Sequence, residues 1–195
     1  MPKTIVEGNL RFTFDDAWSV TKLDDCPFFR DRLMPMQLTG AVDFLALRRP
    51  AALYFIEVKD YRGSAIELKN SEKMCDADAL FLQVARKSKD SVACIAGAAR
   101  VLNYAFWSQC ADVLRKLQSV VKVVFWLEFD LGRRALGRNP EWIRQEILSR
   151  AKTQANVLKS RLNWLTKAVV VTSQAISVGE LPGVSVENLA RAGQR

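Results

Sequence analysis

Histidine is missing from the 195-residue chain altogether. Its absence removes Ser-His-Asp and Cys-His nucleophilic catalysis, histidine-ligated zinc hydrolysis, and any general base whose unperturbed pKa lies near neutrality. Cysteine is sparse: Cys26, Cys75, Cys94 and Cys110 stand far apart with no CxxC pair. That spacing argues against a zinc knuckle and a disulfide framework and fits small buried thiols in a reducing compartment. Long apolar runs are lacking too. The longest uncharged one, "AVVVTSQAIS", is too short to span a bilayer, and no basic start leads into an apolar stretch at the N-terminus. The expectation is a soluble, cytoplasmic protein without a membrane partner. Any chemistry it performs rests on carboxylates, lysines, backbone and a hard metal ion.

The apolar fraction of 49% and charged fraction of 26% are ordinary globular values, and the length suits one well-buried core. We therefore expect a single domain over 1–195. Its charge is unevenly placed. Residues 1–130 hold 18 Lys and Arg against 17 Asp and Glu, whereas residues 131–167 hold nine against two, so this segment carries +7 of the net +8. A concentrated basic segment attracts a polyanion, and the same pattern also fits a solvated helix face.

Periodicity predicts a mixed α/β order. "NLRFTFDD" and "WSVTKL" alternate apolar and polar residues as strands do, with "FDDA" as a turn. "DDCPFFRDRLM" has the start signals of a short helix. "GAVDFLAL" and "ALYFIEVKDY" read as strands joined by the loop "RRPA", and residues 63–76 read as a polar surface loop. From Asp78, Phe81, Val84, Val92, Ile95, Ala99 and Leu102 keep helical spacing, with Ser88 and Ser91 on the same face. There follow a helix over "WSQCADVLRKLQS", a buried strand "VKVVFWLEF", and a long helix from Pro140. That helix shows Ile143, Ile147, Ala151, Leu158, Leu162 and Leu165 on one face. A last strand, "KAVVVTSQAI", precedes a tail, "VSVENLARAGQR", expected to carry one helical turn. Phe125 and Trp126 belong to the core pattern rather than to a base-stacking surface.

Three charges break this pattern. Asp43 lies inside one apolar strand, and Glu57 and Lys59 inside the next. Burying unpaired charge is costly, so these groups need partners or a purpose. Alternation puts Glu57 and Lys59 on one strand face and Ile56 and Val58 on the other, and a hairpin brings Asp43 within reach of Glu57. Two carboxylates held close repel unless a cation stands between them. With no histidine and no paired thiols, Mg²⁺ or Mn²⁺ is the chemically consistent cation. Lys59 beside it would orient an attacking water or stabilise charge on a phosphate in transition.

"GAVDFLAL" followed by "LYFIEVKDY" resembles the core motif of the PD-(D/E)xK, or restriction-endonuclease-like, nuclease superfamily. Asp43 matches its first acid, Glu57 its second and Lys59 its lysine; Val42 stands where the pattern has Pro. The resemblance implies a central mixed sheet flanked by helices, and a Mg²⁺-dependent nuclease acting on nucleic acid, DNA above all. In it Asp43, Glu57 and the Val58 carbonyl hold the metal while Lys59 assists the water. It also offers Gln83 and Lys87, four apart on the following helix, and Arg62 just past the strand, as substrate-binding groups. Glu7, Asp24 or Asp25 would be an added acid, and a homodimer would reach both strands. The alternative is a non-catalytic module of the same fold that binds nucleic acid or a partner protein.

Overall fold

The computed structural model describes residues 2–62, 77–129, 140–176 and 179–189. Eight strands and three α-helices form two sheets and one helical layer among the described residues. The first three strands are β1 (Lys3–Glu7), β2 (Leu10–Phe14) and β3 (Trp18–Lys22), followed by a helical turn with π-type bonding at Phe29–Leu33. Next come β4 (Phe44–Arg48), β5 (Ala52–Tyr61), α1 (Ala77–Val101), α2 (Ala105–Arg115) and β6 (Val120–Phe129). The chain continues through α3 (Pro140–Leu162), β7 (Ala168–Thr172) and β8 (Val184–Asn188).

The main sheet runs β3-β4-β5-β6-β7, antiparallel from β3 to β5 and parallel from β5 to β7. Its strands are apolar on both faces because both faces are covered. Leu45, Leu47, Leu53, Phe55, Val123 and Phe125 pack under the helices with Phe81, Val84, Ile95, Trp107 and Leu158. Phe44, Ala46, Ile56, Val124 and Trp126 face the other way, against Leu10, Phe12 and Phe14 of the smaller sheet, β1-β2-β8. The Phe12 ring meets Phe44 and Trp126 edge-on, at centroid distances of 5.2 and 5.4 Å. Phe125 and Trp126 are thus core residues on opposite faces of one strand. Among the described residues, no helix is long and apolar enough to cross a membrane.

Mixed α/β order is as expected, and β5 has the expected bounds. Four features differ. β1, which the sequence pattern did not mark, pairs with β2 in the smaller sheet. The two expected N-terminal strands lie in different sheets, because the turn after β2 carries the chain from one to the other. The strand expected from Gly40 begins only at Phe44, so Asp43 enters from irregular backbone. Within the tail expected to carry one helical turn, residues 184–188 extend as β8 along β2, from Leu10↔Asn188 to Phe14↔Val184, satisfying backbone groups on the open β2 edge, and residues 190–195 lie outside the described residues. The loop expected over 63–76, Cys75 within it, and 131–139 of the basic segment lie outside the described residues.

Candidate active site

β4 and β5 pair with Phe44 opposite Ile56, and continuing that register one residue beyond β4 sets Asp43 against Glu57. Opposed residues share a face, so both carboxylates point to the side covered by the helices, in line with Leu45, Leu47, Leu53 and Phe55. The apolar face ends where these charges begin. Asp43 is 6% exposed and Glu57 0%. Two ionised carboxylates at that depth require compensation from neighbouring donors.

Backbone and lysines supply it. The Val58 N–H donates to Asp43 Oδ2 at 2.6 Å. Lys59 Nζ lies 2.8 Å from Glu57 Oε1. From α1, Lys87 Nζ donates to both oxygens of Glu57, at 2.7 and 2.9 Å, and stands 3.6 Å from Asp43 Oδ1. Even so, burial first and the Asp43 charge second hold the Glu57 carboxyl above the ordinary range, against both ammonium groups. Burial pulls Lys59 down, but the adjoining Glu57 carboxylate more than offsets it, and the net direction is up.

The acids extend on the other side of Asp43. Carboxylate oxygens of Glu7, Asp24 and Asp43 lie within 4.8 Å of one another. Glu7 comes from the end of β1. Asp24 is placed by the hydrogen bond from Leu23 N to the Asp43 carbonyl, 2.9 Å. Glu7 and Asp24 are both raised, chiefly by burial. Lys22 Nζ stands 3.2 Å from Glu7 Oε2, yet this buried oxygen makes no hydrogen bond of proper geometry among the described residues. Asp25, largely exposed, pairs with the same Lys22 at 3.4 Å and is not one of the clustered acids. An all-oxygen, acidic donor set with one under-satisfied buried oxygen fits a hard divalent ion.

Helix α1 frames the entry to Asp43. Asp90 Oδ2 accepts from Gly40 N at 3.1 Å, and Ser91 Oγ accepts from Val42 N at 3.1 Å. Ser91 also donates to the Lys87 carbonyl at 2.7 Å, tying the turn that carries the lysine to the segment that carries the aspartate.

Comparison with protein-family models, curated proteins and solved structures gives no match to this chain.

Of the residues singled out in the sequence, Asp43, Glu57, Lys59 and Lys87 converge, and Glu7 and Asp24 join them through Asp43. Gln83 is exposed on α1. Arg62 is held by Asp60, with Nε–Oδ1 2.7 Å and Nη2–Oδ2 2.8 Å, and donates to the Asn188 side chain. Val58 gives its N–H to the site while its side chain packs between the sheets. Lys22, Asp90 and Ser91 were not singled out as site residues. Ser91 did leave a signal, a hydroxyl inside the apolar stripe of α1.

Proposed function

We propose that this chain is a metal-dependent nuclease of the PD-(D/E)xK type, hydrolysing phosphodiester bonds, of DNA in the first instance. The observation that carries this is the convergence of buried Asp43 and Glu57, bridged by Lys87, with half-buried Lys59 against Glu57, on one side of the β4–β5 pair. A mixed sheet covered by helices on the face that bears these residues agrees with the same assignment.

Asp43 and Glu57, with the Val58 carbonyl, would hold Mg²⁺ or Mn²⁺, and Glu7 and Asp24 would add oxygens on the far side of Asp43. Such an ion supplies Lewis acidity and lowers the pKa of water. Lys59, fixed by Glu57, orients the attacking water and offsets charge growing on the phosphate. The low-dielectric setting strengthens each of these effects relative to water. Gln83, one helical turn before Lys87, and Arg62, at the end of β5, are the groups we assign to the phosphate backbone of the substrate.

Linear, circular and single-stranded DNA and RNA, each with Mg²⁺, Mn²⁺ or EDTA, provide the test. Cleavage is expected with either metal and not with EDTA. Asp43→Asn and Lys59→Ala should each lose about 10²-fold or more of the rate while keeping the parent's circular dichroism. A parent inert on every substrate, or variants that cut at its rate, would overturn the proposal. The second reading, a binding module without catalysis, draws on one observation: both Glu57 oxygens are already occupied by lysines. It requires that Mg²⁺ neither raise the melting temperature nor support cleavage.

A further inference from the structure

Lys87 occupies a position that a simple substrate contact does not explain. Its ammonium does not project toward solvent; it bridges the two carboxylates, donating to Glu57 Oε1 and Oε2 and lying 3.6 Å from Asp43 Oδ1. Only 17% of its side chain is exposed. The stem is fixed as well as the tip. A Cβ at Gly40 would lie 3.3 Å from Lys87 Cγ, so the lysine stem packs closely against the backbone that leads to Asp43. The Lys87 carbonyl is held by Ser91, whose hydroxyl also accepts from Val42, the residue before Asp43. Helix, lysine and aspartate are therefore one unit, and the amine is aimed at the pair.

These oxygens are the ones assigned above to the metal, and the inference rests on that assignment. A hard divalent ion about 2.1 Å from Glu57 Oε1 can be no farther than about 4.8 Å from Lys87 Nζ, which itself lies 2.7 Å from the same oxygen. Two cations that close in a buried setting repel strongly. Lys59 differs, since its contact is with Glu57 Oε1 alone among the two carboxylates. We infer that Lys87 is an internal counter-ion: it satisfies Asp43 and Glu57 in the metal-free protein and competes with the divalent ion for them. It thereby sets the concentration at which the site loads. Removing its charge unbalances the carboxylates, weakening the metal-free fold and tightening the hold on metal. The role is that of an affinity-setting residue, distinct from a phosphate contact.

Direct Mn²⁺ titration by calorimetry, on the full chain without nucleic acid, tests this independently of cleavage. Lys87→Met keeps the length and removes the charge. It should bind Mn²⁺ about tenfold or more tightly than the parent, the effect of one nearby charge on a buried site. Its melting temperature in EDTA should be lower, and its rise on saturation with Mn²⁺ larger. Lys87→Arg, which keeps the charge, should stay within about threefold of the parent on the same grounds. Should the methionine variant fail to fold, Lys87→Gln, which keeps a donor to Glu57 without the charge, is held to the same outcome. Equal or weaker Mn²⁺ binding by the uncharged variants overturns the inference and leaves the metal assignment standing. No binding by parent or variant overturns both.

Discussion

At the scale of the residue, the site is governed by Glu57. This carboxyl has no exposed surface, two ammonium groups on its oxygens and a second acid beside it. Its pKa lies above the ordinary value because burial and Asp43 together outweigh the lysines. The folded chain therefore binds the Glu57 proton at a pH where the unfolded chain has released it. Stability must then fall as pH rises from the ordinary carboxylate value through the raised one. Glu7 and Asp24, raised chiefly by burial, act in the same sense. Asp60, lowered by its bonds to Arg62 against the opposing effect of burial, acts oppositely and only at lower pH. In EDTA, the melting temperature is expected to rise as pH is lowered from neutrality toward the ordinary carboxylate range, and Glu57→Gln should flatten that slope. A parent profile that falls over this interval would contradict the assigned direction. Asp43, Glu57 and Lys59 were legible in the sequence because each violates the apolar pattern around it. Lys22 and Asp90 were not, since a charged residue on a strand end or helix is ordinary until a distant partner is known.

At the scale of the element, β5 and α1 were readable for different reasons: β5 is a short apolar run buried on both faces, and the buried residues of α1 keep helical spacing. β8 was not. Its residues, "VSVEN", alternate as a strand's do, but nothing local shows that their partner is the open edge of β2. The turn into β8 depends on Gly183. Its φ is +77°, and a Cβ there would stand 1.9 Å from Asp15 Oδ2. Asp15 cannot easily yield, because its N–H donates to the Gly183 carbonyl at 3.0 Å and its Oδ1 accepts from Ala17 N at 2.9 Å. Gly183→Ala should therefore cost more than the about 1–2 kcal/mol of a left-handed alanine. Gly179, at φ +82° with no atom of the described residues within 4 Å of its Cβ position, isolates the backbone term. Thermal denaturation of the two alanine variants should show the larger loss at 183, and equal losses would mean that Asp15 moves aside without cost.

At the scale of the whole molecule, charge and topology were legible to different degrees. The +7 of residues 131–167 is a property of composition and needed no fold. If the chain holds nucleic acid through that segment, affinity must fall with salt. Replacing Arg133, Arg134 and Arg138 by Gln should reduce the slope of log K against log salt by about two to three on duplex DNA. An unchanged slope would move the contact elsewhere. The division into two sheets was not legible, because β2 and β3 have the same alternation and only tertiary packing assigns them to different layers.

The smaller sheet also bears on when the site comes into being. Glu7 reaches Asp43 from a strand whose sheet has β8 on the far side of β2. A ribosome emits residue 188 long after residues 7, 43 and 57, and until then the hairpin that carries Glu7 lacks its third strand and leaves one β2 edge unpaired. Asp43, Glu57 and Lys59 sit at the main sheet, whereas Glu7 depends on the smaller one. Securing the full acidic cluster is thereby tied to a pairing between segments that lie far apart along the chain.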